Sequence, residues 1–242
     1  FKDFSFKYPD SDYILKDINL KIPYGSSLGI LGKTGSGKST LLKELLKYYN
    51  TDFSKILVND KYLDDYTTYA IREKLSYVPQ KHMIFSKTIK ENIKLSKPDA
   101  TEEELNRAIE MADFKKDLEN LPLGLETLCG ERGVSLSGGQ KQRIGIARAF
   151  LKDPDILLLD DCMSAVDGKT ERNIINNINS RKHQGTIILA CHRISQVMNM
   201  DHIIVLEDGK IVEEGSHQEL MELDGWYATQ FVRQMAGGRY SE

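Results

Sequence analysis

The sequence is poor in cysteine and in long apolar runs, and each shortage excludes certain classes of protein. Among 242 residues there are 3 cysteines, Cys129, Cys162 and Cys191, and none belongs to a C-x-x-C pair. An odd, widely spaced set is typical of reduced thiols in a cytosolic setting and argues against a disulfide framework or a cysteine metal site. The longest apolar runs, such as residues 156–159, fall far short of the roughly 20 residues of a membrane span.

An excess of basic residues is also missing. The chain has 33 Lys and Arg against 36 Asp and Glu, a formal net charge of −3, so we expect no nucleic-acid partner. The hydrophobic content of 40% suffices for one sizeable core. Because the chain opens on Phe1 inside a strand-like pattern, we expect a domain of a longer protein.

The clearest motif lies at residues 32–39, which fit the pattern G-x-x-x-x-G-K-[ST] of a phosphate-binding P-loop. An apolar strand pattern precedes it and helical spacing follows. Glycines let backbone N–H groups point at phosphate oxygens, and the following helix adds its positive N-terminal end. Lys38 is predicted to reach the β- and γ-phosphates and Ser39 to ligate Mg²⁺. The predicted phosphate-binding residues are Gly32, Lys33, Thr34, Gly35, Ser36, Gly37, Lys38, Ser39 and Thr40.

Two adjacent carboxylates follow the apolar strand at residues 156–159. The strand delivers Asp160 to the sheet edge where P-loop proteins bind their ligand, so we predict that Asp160 holds Mg²⁺. Asp161 is then placed to polarise the attacking water. An aspartate is one methylene shorter than a glutamate, and a misplacement of about 1 Å can cost ~10²-fold in rate.

Three single residues are ambiguous on their own. His192 follows a strand and is predicted to contact the γ-phosphate, because it shares a sheet edge with Asp160. Gln80 is predicted to ligate Mg²⁺ or water, although alone it reads as a surface loop residue. Tyr8 is predicted to stack on adenine, although an aromatic on an edge strand more often packs.

A second glycine-rich turn lies at residues 137–140. Ser137 is predicted to cap a helix, and the two glycines allow an anion to approach bare N–H groups. Since the P-loop already serves this chain's own nucleotide, a second anion site makes sense if it serves another subunit.

The remaining pattern is that of an α/β protein. Strands are predicted at residues 4–8, 18–22, 56–58, 75–78 and 186–190, with a hairpin over 203–212. Helices are predicted within 88–120, with a capping box at 101–104, over 138–151, and as one helix over 216–235.

In this order and spacing the motifs resemble the nucleotide-binding domain of ABC transporters along nearly the whole chain. The resemblance implies a RecA-like P-loop NTPase core with an antiparallel β subdomain (about 1–80 and 135–236) and an inserted helical subdomain (about 81–134). It implies ATP and Mg²⁺ as ligands, and Tyr8, Gln80, Asp160 and His192 as the family's adenine, Q-loop, Walker B and H-switch residues. The signature, acting in trans, would be Leu136, Ser137, Gly138, Gly139 and Gln140. The D-loop would be Ser164, Ala165, Val166 and Asp167.

Two further segments resemble exporters within that family. Residues 85–93 are similar to the segment that touches the transmembrane coupling helix, and residues 130–133 to the exporter-specific X-loop. The resemblance implies a transmembrane domain upstream of Phe1, substrate export, and a position on the cytoplasmic face of the plasma membrane.

Asp161 departs from the family, which usually has glutamate there. With an intact signature, this resembles the degenerate-site half of a heterodimeric multidrug-type exporter whose partner carries the catalytic glutamate. Alternatives stay open: a homodimeric exporter ATPase that uses Asp161, or a regulatory module that binds ATP without hydrolysing it. A soluble ABC ATPase of DNA repair or translation is disfavoured by the acidic balance, and an importer subunit by residues 130–133.

Overall fold

The computed structural model describes residues 1–130, 135–181 and 184–237. Its main sheet has six strands in the order β10-β9-β3-β8-β7-β6, and every neighbouring pair is parallel except β9 with β10. These strands are β3 (Ser27–Leu31), β6 (Leu75–Val78), β7 (Ile156–Asp160), β8 (Thr186–Ala190), β9 (His202–Glu207) and β10 (Lys210–Gly215). Two antiparallel pairs lie outside this sheet: β1 (Phe4–Lys7) with β2 (Tyr13–Ile18), and β4 (Leu57–Val58) with β5 (Lys61–Tyr62).

The helices surround the sheet. They are α1 (Lys38–Leu45), α2 (Thr68–Lys74), α3 (Ile89–Lys94), α4 (Glu102–Met111), α5 (Lys115–Glu119), α6 (Gly138–Lys152), α7 (Gly168–Ser180), α8 (His217–Glu222) and α9 (Trp226–Gly237). Among the residues the structure describes, no helix is both long and apolar enough to cross a bilayer.

The central strands are apolar on both faces because both faces are covered. Along β7, Leu157 and Leu159 join one core cluster with α3, α4, α6 and α7, whereas Leu158 joins a second cluster with α1 and the β1–β2 pair. Successive side chains of a strand point to opposite faces, and parallel sheets buried on both sides lack polar alternation. The predicted α/β class is confirmed.

Local capping signals define several helix starts. The Thr101 side chain accepts from the Glu104 N–H, and the Glu104 carboxylate accepts from the Thr101 N–H. The predicted capping box is therefore present, and Thr88 with Glu91 forms another at the start of α3. Three helices, α3 to α5, lie between residues 89 and 119; the exact limits of a helical subdomain at 81–134 stay a prediction.

Three expected element boundaries were wrong. The first strand ends at Lys7, before Tyr8, and the second lies at Tyr13–Ile18 rather than over 18–22. The expected single helix over 216–235 is two helices, because the chain turns between them with Asp224 in the left-handed conformation (φ +51°). Glu213 on β10 accepts from the N–H groups of Trp226 and Tyr227 and so starts α9 afresh.

Candidate nucleotide-binding site

The P-loop connects β3 to α1 at the carboxyl edge of the sheet. Its glycines are required by the backbone shape: Gly32 has φ +147° and Gly37 has φ +104°. A Cβ on Gly32 would lie 2.2 Å from the Leu206 carbonyl oxygen, and one on Gly37 would lie 2.8 Å from Leu15 Cδ2. Such contacts leave no room for a side chain, so the loop keeps its curl only with glycine at both places.

Lys38 closes the loop with its own side chain. Its Nζ donates to the carbonyl oxygens of Gly32 (2.7 Å) and Lys33 (2.9 Å), and burial lowers the pKa of this ammonium group. The Ser36 hydroxyl is buried and has no hydrogen-bond partner among the described residues. A buried cation and an unpaired hydroxyl beside the N-terminus of α1 fit a phosphate chain.

Asp160 ends β7 beside the P-loop. Its Oδ1 accepts from Ser39 Oγ and its Oδ2 from the Tyr77 hydroxyl, both at 2.8 Å. A serine hydroxyl and a carboxylate this close are the oxygen donors that Mg²⁺ prefers, so these residues fit the predicted metal. Burial, and to a smaller extent the charge of Asp160, raises the pKa of Tyr77 far above its ordinary value. The phenol therefore keeps its proton and donates it in this hydrogen bond. Sequence reasoning missed Tyr77.

Asp161 follows in an unusual backbone conformation. Its φ is +44°, its N–H donates to the Ala190 carbonyl (2.7 Å), and its Oδ2 accepts from Gln80 Nε2 (3.0 Å). The left-handed conformation is tolerated by aspartate better than by most residues. The structure thus brings Gln80 and Asp161 together, at the same edge as Asp160.

His192 lies on the loop after β8, two residues past the strand end, and is exposed. Its carbonyl accepts from Gln234 Nε2 (3.0 Å). The next residue, Arg193, donates to buried Glu171 Oε2 (2.6 Å), which also accepts from Gln196 Nε2 (2.9 Å). The loop carrying His192 is therefore anchored to α7 and α9, while the imidazole itself faces solvent.

Tyr8 is held by its hydroxyl. Tyr8 Oη lies 3.0 Å from Thr40 Oγ1 in the first turn of α1, and it donates to the Tyr49 hydroxyl at 3.3 Å. Its ring meets Phe6 and Tyr49 edge-on, with centroids 5.0 and 5.1 Å apart. These contacts fix an aromatic ring next to the P-loop helix.

The second glycine-rich turn opens α6 and is set against α5. Leu136 is buried, and Ser137 forms a capping box with Gln140. Gln140 Nε2 also donates to Asp117 Oδ1 (3.1 Å), which pairs with Arg143 (2.7 Å). Gln140 is therefore committed to capping and to α5, and the exposed groups of the turn are Ser137 and its neighbouring glycine.

The same turn packs on residues 164–167. A Cβ on Gly139 would lie 2.9 Å from the Ala165 carbonyl oxygen, and one on Gly138 would lie 3.2 Å from the Ala165 Cβ. One turn further along α6, Gln142 donates to Ser164 Oγ (3.1 Å) and accepts from the Ala165 N–H (2.9 Å). The two segments therefore form one surface.

The last two residues of that segment have structural roles. Val166 is buried, and Asp167 caps α7 by accepting from the N–H groups of Lys169 and Thr170. Those backbone bonds lower the pKa of Asp167 below its ordinary value. The cap fixes where the segment ends and where α7 begins.

Comparison with known proteins identifies this arrangement. A family profile described as ABC transporter matches residues 15–164. The chain belongs to the ABC transporter family. It is an ATP-binding ATPase domain of that family with the P-loop NTPase fold, and such domains bind ATP, generally with Mg²⁺.

Similar ABC proteins are multidrug-type transporters. The chain is 48% identical over 235 residues to a Bacillus subtilis protein named "Probable multidrug resistance ABC transporter ATP-binding/permease protein YheI", covering 97% of this chain and 40% of that protein. It is 44% identical over 221 residues to the multidrug resistance-like ATP-binding protein MdlA of Buchnera aphidicola, covering 91% of this chain and 38% of that protein. The chain thus spans well under half of these relatives.

A solved ABC structure has the same fold. A bacterial Atm1-family ABC exporter with ATP bound superposes with a TM-score of 0.90 at 35% identity, covering 96% of this chain and 41% of that one.

The exporter-type segments predicted for this ABC domain are described in part. Of residues 130–133, only Gly130 is described, and the other three lie outside the described residues. In residues 85–93, buried Asn92 fixes the backbone by donating to the Phe85 carbonyl and accepting from its N–H. The Phe85 and Met83 side chains remain 44% and 70% exposed.

Proposed function

We propose that this ABC domain powers export of a substrate across a membrane, by closing on a second ABC domain with ATP held between them. The observation that carries the proposal is that one chain has two separate glycine-rich helix starts, the P-loop before α1 and residues 137–140 at the start of α6. The P-loop serves the chain's own nucleotide, whereas the exposed start of α6 packs on residues 164–165 and shares no hydrogen bond with that loop in the described residues. In a head-to-tail dimer, the P-loop of one chain and the start of α6 of the other chain contact the same nucleotide.

Within one site, each residue has an assigned task. Lys38 exchanges the carbonyl oxygens of Gly32 and Lys33 for phosphate oxygens, and His192 donates to the γ-phosphate. Ser39 and Asp160 supply oxygen ligands, with Gln80 completing the set. Magnesium, when bound, neutralises charge on the β- and γ-phosphate oxygens.

Adenine lies on the Tyr8 ring in this proposal. The Tyr8 hydroxyl bond to Thr40 ties that ring to the helix that carries the phosphate-binding lysine. Stacking on an aromatic ring is favourable for any purine, so Tyr8 contributes to affinity without selecting adenine over guanine.

We further propose that the chain's own hydrolytic site is impaired. Water activation falls to Asp161, whose carboxylate begins one methylene closer to the backbone than glutamate and is bonded to Gln80 at 3.0 Å. An acceptor displaced by about 1 Å loses on the order of 10²-fold in rate. The competent site of the complex then combines the α6 turn of this chain with a glutamate-bearing Walker site on a non-identical partner.

Membrane context comes from the relatives. The name of YheI joins ATP-binding and permease functions, and the exposed Met83 and Phe85 offer an apolar contact for a membrane domain. We propose that the full protein carries such a domain upstream of Phe1, with this domain on the cytoplasmic face.

Steady-state ATP hydrolysis by the domain at high protein concentration tests the impaired site. The isolated chain pairs only with itself, so every site carries Asp161. We expect near-zero hydrolysis for the wild type and a gain of about 10²-fold for Asp161→Glu. Lys38→Ala in the Asp161→Glu background, which removes phosphate binding, is the matched control and is expected to abolish the gain.

Equal, substantial rates for wild type and Asp161→Glu mean that Asp161 suffices as the catalytic carboxylate, and a homodimeric exporter replaces the proposal. ATP binding without hydrolysis in either protein, in samples shown by size-exclusion chromatography to dimerise with ATP, supports the regulatory module instead.

A further inference from the structure

Asp160 is held from two sides by two different elements. Ser39, in the first turn of α1, donates to Oδ1, and Tyr77, on the edge strand β6, donates to Oδ2, each at 2.8 Å. Asp160 is 4% exposed. A carboxylate buried to this extent needs partners for its oxygens, and the Tyr77 hydroxyl is the only one that comes from β6 in the described structure.

The sheet register places Tyr77 for this contact. Tyr77 lies opposite Leu158 in the parallel pairing of β6 with β7, and Asp160 follows Leu158 by two residues, so both side chains project from the same face. The exit of β6 continues to Gln80, which bonds Asp161. One strand and its exit therefore contact both adjacent carboxylates.

We infer that Tyr77 is a positioning residue for the magnesium-binding carboxylate: its hydroxyl fixes the rotation of Asp160 so that Oδ1 faces Ser39. The inference rests on the proposed magnesium role of Asp160 and Ser39. It assigns a task to a residue that carries no recognisable motif.

The hydroxyl, rather than the ring, carries this function. A phenylalanine would fill the same space, since it lacks only the oxygen. Without the Tyr77 bond the carboxylate can rotate, and its unpaired Oδ2 turns toward water or toward Ser39. Partners that orient a metal-binding carboxylate typically contribute about 10–100-fold to metal affinity.

Binding of a fluorescent ATP analogue, mant-ATP, to the 242-residue chain tests the inference. The analogue is titrated in EDTA, and Mg²⁺ is then titrated at a fixed analogue concentration. For Tyr77→Phe we expect unchanged binding in EDTA, within about twofold, and a half-saturating Mg²⁺ concentration raised about tenfold or more.

Two controls isolate the contact. Tyr66→Phe removes another half-buried hydroxyl, one that donates to the Val58 carbonyl (3.1 Å), and it is expected to leave the Mg²⁺ titration unchanged. In an Asp160→Asn background, Tyr77→Phe is expected to add no further loss, because no carboxylate remains there for the hydroxyl to orient toward Mg²⁺. Melting temperatures of all variants are measured alongside.

Three results would overturn the inference. A Mg²⁺ titration of Tyr77→Phe that matches the wild type removes the positioning role while leaving the ATP site intact. An equal loss in EDTA and in Mg²⁺, with a lower melting temperature, assigns Tyr77 to packing alone. If mant-ATP binding by the wild type does not respond to Mg²⁺ at all, the proposed metal role of Asp160 fails and the inference falls with it.

Discussion

Glu44 is a carboxylic acid buried in the protein interior, where the ionised form is costly. It lies on α1 with no exposed surface, and neither carboxylate oxygen has a hydrogen-bond partner in the described structure. Burial raises its pKa from 4.5 to about 8. The folded chain therefore keeps a proton at neutral pH that the unfolded chain has released. Between these two values the unfolded state binds fewer protons, so stability falls as pH rises.

Glu44→Gln removes this titration. The quantity to follow is the free energy of unfolding of the variant minus that of the wild type, measured by urea unfolding at each pH. We expect this difference to increase by on the order of 2 kcal/mol as the pH is raised from 5 to 8. Glu103→Gln, which changes an exposed carboxylate on α4, is expected to shift stability by a few tenths of a kcal/mol at every pH. Parallel stability curves for Glu44→Gln and wild type would show that Glu44 is ionised in the folded state.

At the scale of elements, α6 and the segment after β7 are joined by one side chain. Gln142 both donates to Ser164 and accepts from the Ala165 N–H, so a single amide satisfies one side-chain and one backbone group. The glycines that open α6 allow the close approach, because a Cβ on Gly139 would meet the Ala165 carbonyl. In the proposed dimer both segments face the partner, and Gln142 holds them in a fixed position relative to each other.

Gln142→Ala separates the two. We expect a loss of about 1 kcal/mol in stability, because the hydrogen bonds of Gln142 to Ser164 and to the Ala165 N–H are lost. We also expect faster amide hydrogen exchange confined to residues 161–167. Exchange measured by mass spectrometry checks this. Lys141→Ala, an exposed neighbour on the same helix, is the control. Unchanged exchange at 161–167 in Gln142→Ala would assign the order of that segment to the Asp167 cap instead.

Elements were predictable where their signals are local. The capping box of Thr101 with Glu104 is readable from four consecutive residues and is present. The apolar run at residues 156–159 lies in the largely buried strand Ile156–Asp160. The break between α8 and α9 has a local signal that the expected single helix overlooked, the dipeptide Asp224-Gly225, with Asp224 at φ +51°. Only the contribution of Glu213 on β10, which accepts from the Trp226 and Tyr227 N–H groups, could not be predicted from a local pattern.

The same distinction applies to the site. The P-loop was predictable because its glycines, lysine and serine are consecutive and each is required by backbone geometry or phosphate chemistry. Tyr77 was not, since a tyrosine in a strand is common and only the register of β6 against β7 places it on Asp160. The bond of Gln80 to Asp161 likewise appears only once β6 and β7 are paired.

At the scale of the whole molecule, the proposed function makes a dimer the working unit. Each chain would lend its α6 turn to the ATP held by the other, so damage to the P-loop and damage to the turn lie on opposite sides of the same composite site. Chains damaged in different elements can then repair each other, whereas a site built within one chain cannot be repaired by mixing.

Mixing two inactive variants in the Asp161→Glu background tests this. Lys38→Ala removes the phosphate-binding lysine, and Gly138→Asp places a carboxylate at the start of α6, where it repels an approaching phosphate. Each alone is expected to be inactive. An equal mixture is expected to recover about a quarter of the undamaged rate, because half of randomly paired dimers are mixed and each mixed dimer keeps one intact site.

ATP hydrolysis is measured across mixing ratios. The control is a Lys38→Ala, Gly138→Asp double variant mixed with either single variant, because that mixture cannot form an intact site. Recovery that stays at the level of this control would place the whole site within one chain, and the head-to-tail arrangement would be abandoned.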